Sequence, residues 1–275
     1  ADSWKRDKLA KTTFIDLNTG IRVSGGGQEE RTEHLRQVIQ KSMDAIEGEL
    51  SNEGKLLMIV NSYREAQIAV KYLNAQLQER LERAACMIRS TDENHDVPKK
   101  FQVLRGEVAA FHEHPARILI APAQAIERGY NIVDQEGHST FGSVFFLVRP
   151  MAVPDEISGK CAKLNGIVEK QFCAEDFSGA FAKSKELRRF AALKWSEMEH
   201  QSRKSLKYLN DTMKTDITAG LFILILQIFG RLARITNETR PAPKVYFADG
   251  AFRTNPEHPD GYDCLNALRE YLEQM

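Results

Sequence analysis

Cysteine is scarce in this sequence, and neither sign of charge predominates. The 275 residues include four cysteines, which lie far apart at Cys86, Cys161, Cys173 and Cys264. This spacing matches neither a zinc knuckle nor a redox motif, so we expect free thiols in a reducing compartment. Lysine plus arginine and aspartate plus glutamate both number 38. Any surface that binds nucleic acid must therefore be a local patch.

Long apolar runs are also missing. The most apolar stretch, from Ala219 to Gly230, is interrupted by Gln227. It is far shorter than the roughly 18 residues that a membrane helix needs. The first residues, Ala1 to Arg6, lack the apolar segment of a signal peptide. We therefore expect a soluble, cytoplasmic protein.

The sequence has no Gly-x-x-x-x-Gly-Lys-Ser/Thr loop, the segment that holds the phosphates of ATP in many enzymes. The glycine run Gly25–Gly27 is followed by acidic residues, which would repel phosphates. Asp155 and Glu156 follow no phosphate loop, and we interpret them as a turn. His112 and His114 have no third ligand nearby in the sequence, so we predict no metal site.

Short apolar segments alternate with amphipathic ones along most of the chain. Strands are predicted at 55–60, 85–88, 117–121, 142–148 and 244–247. Apolar residues recur at helical spacing in further segments, which predicts helices at 29–50, 64–81, 103–112, 218–235 and 262–274. The alternation predicts an α/β fold in which helices cover both faces of a parallel sheet.

The predicted domain organisation follows from where this alternation stops. It stops between about 158 and 214, which we interpret as a helical insertion. Residues 1–50 are predicted to form an irregular N-terminal arm followed by an amphipathic helix, and 51–275 to form one α/β domain that carries the insertion.

The predicted insertion is locally basic. Arg188, Arg189 and Lys194 lie there among interleaved aromatic residues. Such a patch could follow a nucleic-acid backbone and stack a base, so these three residues are candidates for nucleic-acid binding. Solvated helix faces with a few core aromatics are the alternative explanation.

The sharpest candidate for catalytic chemistry is the segment Gln227-Ile-Phe-Gly230-Arg231-Leu-Ala-Arg234. Helical spacing puts Gln227, Gly230 and Arg234 near one stripe and Arg231 beside it. Arginine suits phosphoryl transfer because a permanently charged, planar group stabilises the charge that develops on the phosphoryl oxygens. A surface helix with two solvated arginines is the alternative.

Two further segments begin in predicted strands. Strand 55–60 runs into Asn61, Ser62 and Arg64 at the start of a predicted helix. Backbone amides and hydroxyls in this position can hold a phosphate, although Ser62 could instead simply cap the helix.

The other strand, 117–121, is followed by Gln124 and then by Arg128-Gly129-Tyr130-Asn131. A glycine in a strand-to-helix turn is common, so Gly129 alone indicates little. The three segments are informative together because of their order in the sequence and because strands and helices are predicted between them.

Together the segments resemble motifs of the C-terminal RecA-like lobe of superfamily 2 helicases and translocases. The segment with Asn61, Ser62 and Arg64 resembles motif IV, the one with Gln124 and Gly129 resembles motif V, and Gln227 to Arg234 resembles motif VI. The resemblance covers roughly residues 54–250 outside the insertion. Asn131 stands where the family usually has an acid. The resemblance implies that Arg231 and Arg234 are catalytic and reach the γ-phosphate of ATP.

The same resemblance implies the remaining contacts. Gln227, Gly230, Gly129 and Asn131 would line the nucleotide cleft, with ATP and magnesium held mainly by a missing N-terminal RecA-like lobe. A single-stranded or duplex nucleic acid would lie along the residues of motifs IV and V, namely Asn61, Ser62, Arg64 and Gln124.

We therefore expect part of an ATP-hydrolysing helicase within a longer protein, inactive without the first lobe. One alternative is a non-catalytic, helicase-like scaffold whose insertion binds other proteins. The other is an independent nucleotide-binding enzyme with a doubly wound sheet.

Overall fold

The centre of the protein is a parallel sheet of seven strands. The computed structural model describes residues 12–23, 27–52, 54–77, 83–89, 96–126, 131–150, 161, 164–169, 180–201, 211–230 and 243–253. The strands are β1 (Thr13–Asp16), β2 (Lys55–Val60), β3 (Ala84–Ile88), β4 (Gln102–Leu104), β5 (Ile118–Pro122), β6 (Phe141–Phe146) and β7 (Lys244–Phe247). Their order across the sheet is β1-β7-β6-β2-β5-β3-β4, and each pairing is parallel.

Helices join these strands. They are α1 (Gln28–Lys41), α2 (Met43–Leu50), α3 (Tyr63–Gln76), α4 (Ala123–Ile126), α5 (Ala180–Gln201) and α6 (Asp211–Phe229). The chain divides into two compact units, one from Ala1–Pro150 with Ile217–Met275 and the other from Met151–Asp216. The sheet belongs to the first unit, and α5 belongs to the second.

Helices pack on both faces of the sheet. On one face, buried residues of α1 and α3 share a core with Met58, Phe145 and Tyr246. On the other face, the Phe229 ring of α6 meets the edge of the Phe14 ring at 5.7 Å between centroids. A strand that is covered on both faces must be apolar throughout, as Leu56 to Val60 of β2 are. The predicted α/β, RecA-like fold is confirmed.

Three predicted elements differ in kind or continuity from the structure, and the helix predicted at 218–235 is instead Asp211–Phe229. The helix predicted at 29–50 is two helices that meet at Ser42, whose hydroxyl donates to Val38 O at 2.7 Å. A hydroxyl that bonds back to the preceding turn commonly bends a helix. Irregular structure was also predicted before the first helix, which was wrong for residues 13–16, because they form β1 and pair with β7.

The helix predicted at 103–112 was wrong as well. Gln102–Leu104 is a strand paired with β3, and Arg105–Glu113 is a 3₁₀ segment. Val108 and Phe111, three residues apart, are buried in that segment. Because 3₁₀ and α-helices share the three-residue spacing, the sequence pattern does not separate them. The helix predicted at 262–274 lies outside the described residues.

A buried polar cluster ties α2 to β6 and β7. The Glu49 carboxylate accepts hydrogen bonds from Lys244 Nζ at 2.7 Å, from Tyr246 OH at 2.9 Å and from Ser143 Oγ. Burial alone would raise the pKa of Glu49, but these hydrogen bonds and the charge of Lys244 together lower it below its ordinary value. The ionised form is therefore the one that the fold stabilises.

Replacing Glu49 with alanine should lower the free energy of unfolding by about 2–4 kcal/mol at neutral pH, because it leaves several donors without their acceptor. The folded-state pKa lies below the unfolded value of 4.5. The stabilisation should therefore be present above that pH and decline as the pH falls through the folded pKa. Denaturant unfolding across this range measures it.

Asp44→Asn is the matched control, since Asp44 is an exposed acid on the same helix. The control should stay close to the unchanged protein at every pH. If Glu49→Ala were as stable as the control at neutral pH, the cluster would contribute nothing.

Candidate carboxyl-edge site

The carboxyl ends of the parallel strands lie together at one edge of the sheet, called here the carboxyl edge. Polar residues within three positions of the strand ends at this edge include Asn61, Ser62, Arg89, Gln124, Arg149 and Asp249. Open α/β sheets bind ligands outside this edge, where neighbouring connections leave toward opposite faces. α3, which follows β2, and α6, which precedes β7, lie on opposite faces of the sheet. The crevice between the neighbouring strands β2 and β6 is therefore a place where a ligand could bind.

Asn61 and Arg149 meet across that crevice. The Asn61 side chain donates to the Arg149 carbonyl at 3.0 Å. Asn61 therefore joins the end of β2 to the end of β6, and its role is at least partly structural.

Ser62 begins α3 with a complete capping box. Its hydroxyl accepts from Glu65 N at 3.2 Å, and the Glu65 carboxylate accepts from Asn61 N at 2.7 Å and Ser62 N at 3.2 Å. Capping at Ser62, the alternative weighed from sequence, is thus confirmed. A contact from Ser62 to nucleic acid stays a prediction.

The Asp249 carboxylate links several segments of the chain near this edge. It is 2% exposed and accepts from Arg149 N at 2.8 Å, Ala251 N at 2.9 Å and Val23 N at 3.2 Å. The next residue needs to be small, because a Cβ on Gly250 would lie 3.0 Å from Ile21 O. The segment after β1 is therefore fastened to the end of β7.

Asp249 is a buried acid, and its charge acts on the half-buried Glu65. Burial raises the pKa of Asp249, although its three backbone donors and the charge of Arg149 act in the opposite direction. Burial also raises the pKa of Glu65, opposed by the amides of Asn61 and Ser62 and by Arg31, and the Asp249 charge adds to the rise. The base of the site thus contains two carboxyl groups whose pKa values are raised.

The rim of the site is cationic. Arg64 is exposed in the first turn of α3, and the Arg89 guanidinium lies 5.0 Å from the centre of the Tyr63 ring. Arg89 is exposed and directly follows β3. Sequence reasoning missed it, although a basic residue directly after a buried strand was the available signal.

Gln124 lies beside Asn61 because their strands are neighbours. In the register of β2 and β5, Val60 is opposite Pro122. Gln124, half-buried on α4, therefore follows at the same edge. β3 pairs with the other side of β5. Asn61, Gln124 and Arg89 thus follow three consecutive strands.

α6 ends within the segment Gln227 to Arg234, of which the structure describes Gln227 to Gly230. Its buried face includes Leu224, Ile225 and Ile228, while Gln227 is exposed. Gly230 ends the helix and donates to Leu226 O at 2.9 Å. A Cβ on Gly230 would lie 2.9 Å from that same oxygen, so the local backbone already explains the glycine.

The remaining candidates are divided between described and undescribed parts of the chain. Asn131 is exposed in the connection before β6. Gly129, Arg231 and Arg234 lie outside the described residues, so their predicted roles stay predictions.

The basic candidates of the second unit lie on α5. Arg188 and Arg189 are exposed, whereas Lys194 is partly buried with its Nζ 5.8 Å from the centre of the Phe190 ring. Leu193 beside them is 57% exposed. α5 thus presents a mixed basic and apolar surface.

Comparisons with protein-family models and with curated proteins return no match for this chain. Within the described ranges, no three histidine, cysteine or acidic side chains gather where a metal ion could bind. No helix in the same ranges has the length and apolar character required to cross a bilayer. The site therefore has to be interpreted from its own geometry.

Proposed function

We propose that the chain is the second motor lobe of an ATP-dependent nucleic-acid helicase or translocase. The observation that carries the proposal is the pairing of β2 with β5, with Val60 opposite Pro122. In this register the motif IV-like segment after β2 and the motif V-like segment after β5 leave neighbouring strands at the same edge of the sheet. Segments far apart in sequence thereby share one edge, as a nucleic-acid groove requires.

In this proposal one nucleic-acid strand runs along the carboxyl edge. Asn61, Ser62 and Gln124 lie near its backbone, and Arg64 and Arg89 neutralise phosphates. Phosphate contacts of this kind supply most sequence-independent affinity. The Tyr63 ring beneath Arg89 supports the guanidinium through a cation–π contact.

ATP and magnesium would be held by an N-terminal RecA-like lobe. Arg231 and Arg234 would approach the γ-phosphate when the two lobes close, with Gln227, Gly230, Gly129 and Asn131 lining the cleft. Arginines that reach the phosphate only in the closed state couple nucleotide binding to motion. The exposed position of Gln227 on an otherwise anchored helix supports this arrangement.

The α5 residues Arg188, Arg189 and Lys194 form a second contact with nucleic acid in this proposal. They belong to the second compact unit of the chain. The scaffold alternative assigns the same surface to a protein partner.

Changing Arg64 and Arg89 together to glutamine should weaken binding of a single-stranded oligonucleotide about tenfold or more. It should also reduce the slope of log affinity against log salt by about 1.4, since each lost phosphate contact contributes about 0.7 on single strands. Fluorescence anisotropy at several salt concentrations measures both quantities.

The charge-matched control changes Arg36 and Lys71 to glutamine. Both are surface cations in ion pairs, with Glu33 and Asp96 respectively. Equal losses in the two double variants would mean that binding depends on overall charge and would contradict a groove at the carboxyl edge.

A further inference from the structure

A pocket of about 540 Å³ lies at the opposite edge of the sheet, where the strands begin. Lys55 is the first residue of β2, Arg117 directly precedes β5, and Thr140 directly precedes β6. These residues line the pocket together with Asn52, His112 and Asp134. We call it the amino-edge pocket, and the proposed nucleic-acid groove does not use it.

Lys55 brings a positive charge that carbonyl groups and an aromatic ring hold in place. Its ammonium donates to Phe111 O at 2.8 Å and to His114 O, and it lies 4.6 Å from the centre of the Phe111 ring. No carboxylate of the described residues forms an ion pair with it. The charge is therefore fixed in position while its field extends into the pocket.

Arg117 adds a second charge in the same wall. Its Nη2 donates to Asn52 O and Gly54 O, each at 2.8 Å. Burial and the charge of Arg117 lower the pKa of Lys55 to about 8. Burial and the charge of Lys55 likewise lower the pKa of His114. Both groups thus experience a positive local potential.

The one acid in the described wall of the pocket is already engaged. Asp134 Oδ1 accepts from His138 N at 2.8 Å and Glu136 N at 3.0 Å, and Oδ2 lies 3.5 Å from His138 Nδ1. These contacts hold the carboxylate in place. The described wall therefore carries two cationic groups, Lys55 and Arg117, and one acid.

The wall also contains polar groups that could receive a ligand. Thr140 is 7% exposed, and its hydroxyl has no hydrogen-bond partner among the described residues. Both ring nitrogens of His112 also have no hydrogen-bond partner among the described residues. Its Nε2 lies 3.4 Å from Glu113 Oε1, but the two groups are poorly aligned for a hydrogen bond. Buried polar groups without partners are uncommon in proteins, which favours a role in binding.

We propose that the amino-edge pocket binds a small molecule through a phosphate group. Its volume falls in the range of about 300–1,000 Å³ that is typical of small-molecule sites. A lysine acting as a point charge and an arginine guanidinium are suited to phosphate oxygens, and the Thr140 hydroxyl offers a further donor. The proposal is independent of the motor-lobe function, since it rests on other residues.

Isothermal titration calorimetry with inorganic phosphate at constant ionic strength tests the proposal. The unchanged chain should bind one phosphate with saturation, and Lys55→Met should weaken binding at least tenfold. Methionine keeps an apolar stem over the Phe111 ring while removing the charge. Lys71→Met, which removes an exposed surface charge elsewhere, should bind phosphate as the unchanged chain does.

A parallel titration with ADP distinguishes a free phosphate from the phosphate of a nucleotide. Tighter, Lys55-dependent binding of ADP identifies a nucleotide, and equal or weaker binding identifies phosphate itself or another phosphate ester. If Lys55→Met does not fold, Thr140→Val replaces it, because it removes only a hydroxyl that has no described partner. Absence of saturable phosphate binding, or equal binding by the variant and the Lys71→Met control, would overturn the proposal.

Discussion

Replacing Asp249 with alanine should lower the free energy of unfolding by about 3–5 kcal/mol, because it removes the acceptor for several buried backbone donors at once. The amides of Val23, Arg149 and Ala251 all bond to this carboxyl group. Each donor left buried without a partner keeps its full desolvation cost. Equilibrium unfolding in denaturant measures the loss.

Asp249→Asn refines this experiment. The asparagine oxygen can still accept from Val23 N and Ala251 N, which share Oδ1, but the amide nitrogen cannot accept from Arg149 N. We expect a smaller loss than in the alanine variant. Asp96→Ala, at an exposed surface ion pair, is the control and should leave stability nearly unchanged. An alanine variant at Asp249 as stable as this control would contradict the fastening role.

Replacing Arg234 with alanine, in a protein that joins this lobe to an N-terminal RecA-like lobe, should lower nucleic-acid-stimulated ATP hydrolysis about a thousandfold. That is the order of magnitude found for arginines that stabilise the transition state of phosphoryl transfer. Melting temperature and ATP affinity should change little, because an arginine that meets the phosphate only on closure adds little to folding or ground-state binding.

Arg231→Ala should behave in the same way, and Arg36→Ala on α1 should hydrolyse ATP normally. Steady-state ATPase assays with saturating nucleic acid, together with calorimetric ATP titrations, separate turnover from binding. Variants that unfold, or that hydrolyse ATP at the unchanged rate, would show that these arginines are structural or merely exposed. The scaffold alternative would then be the better one.

The residues at the carboxyl edge differ in how far sequence could identify them. Asn61, Ser62 and Gln124 were predictable because each lies within two residues of the end of a buried strand. Asp249 was not, since its partners at positions 23 and 149 are distant in sequence. Arg89 lies in none of the three recognised motifs, and its place at this edge depends on β3 lying beside β5.

The strands show the same division. β2 and β7 begin and end where predicted, because an uninterrupted apolar run needs burial on both faces and leaves few alternatives. β1 and β4 were missed because short strands have little preference of their own and depend on their neighbours. The 3₁₀ segment was mistaken for an α-helix because Val108 and Phe111 satisfy both periodicities.

By itself, the sequence determined that apolar strands alternate with amphipathic helices and that three motif-like segments follow in a particular order. The tertiary structure alone decided the strand order, the meeting of Asn61 with Arg149, and the positive amino-edge pocket around Lys55 and Arg117. The physical reason is that periodicity encodes which face of an element must be buried. Which partner buries it depends on contacts between segments that no local pattern specifies.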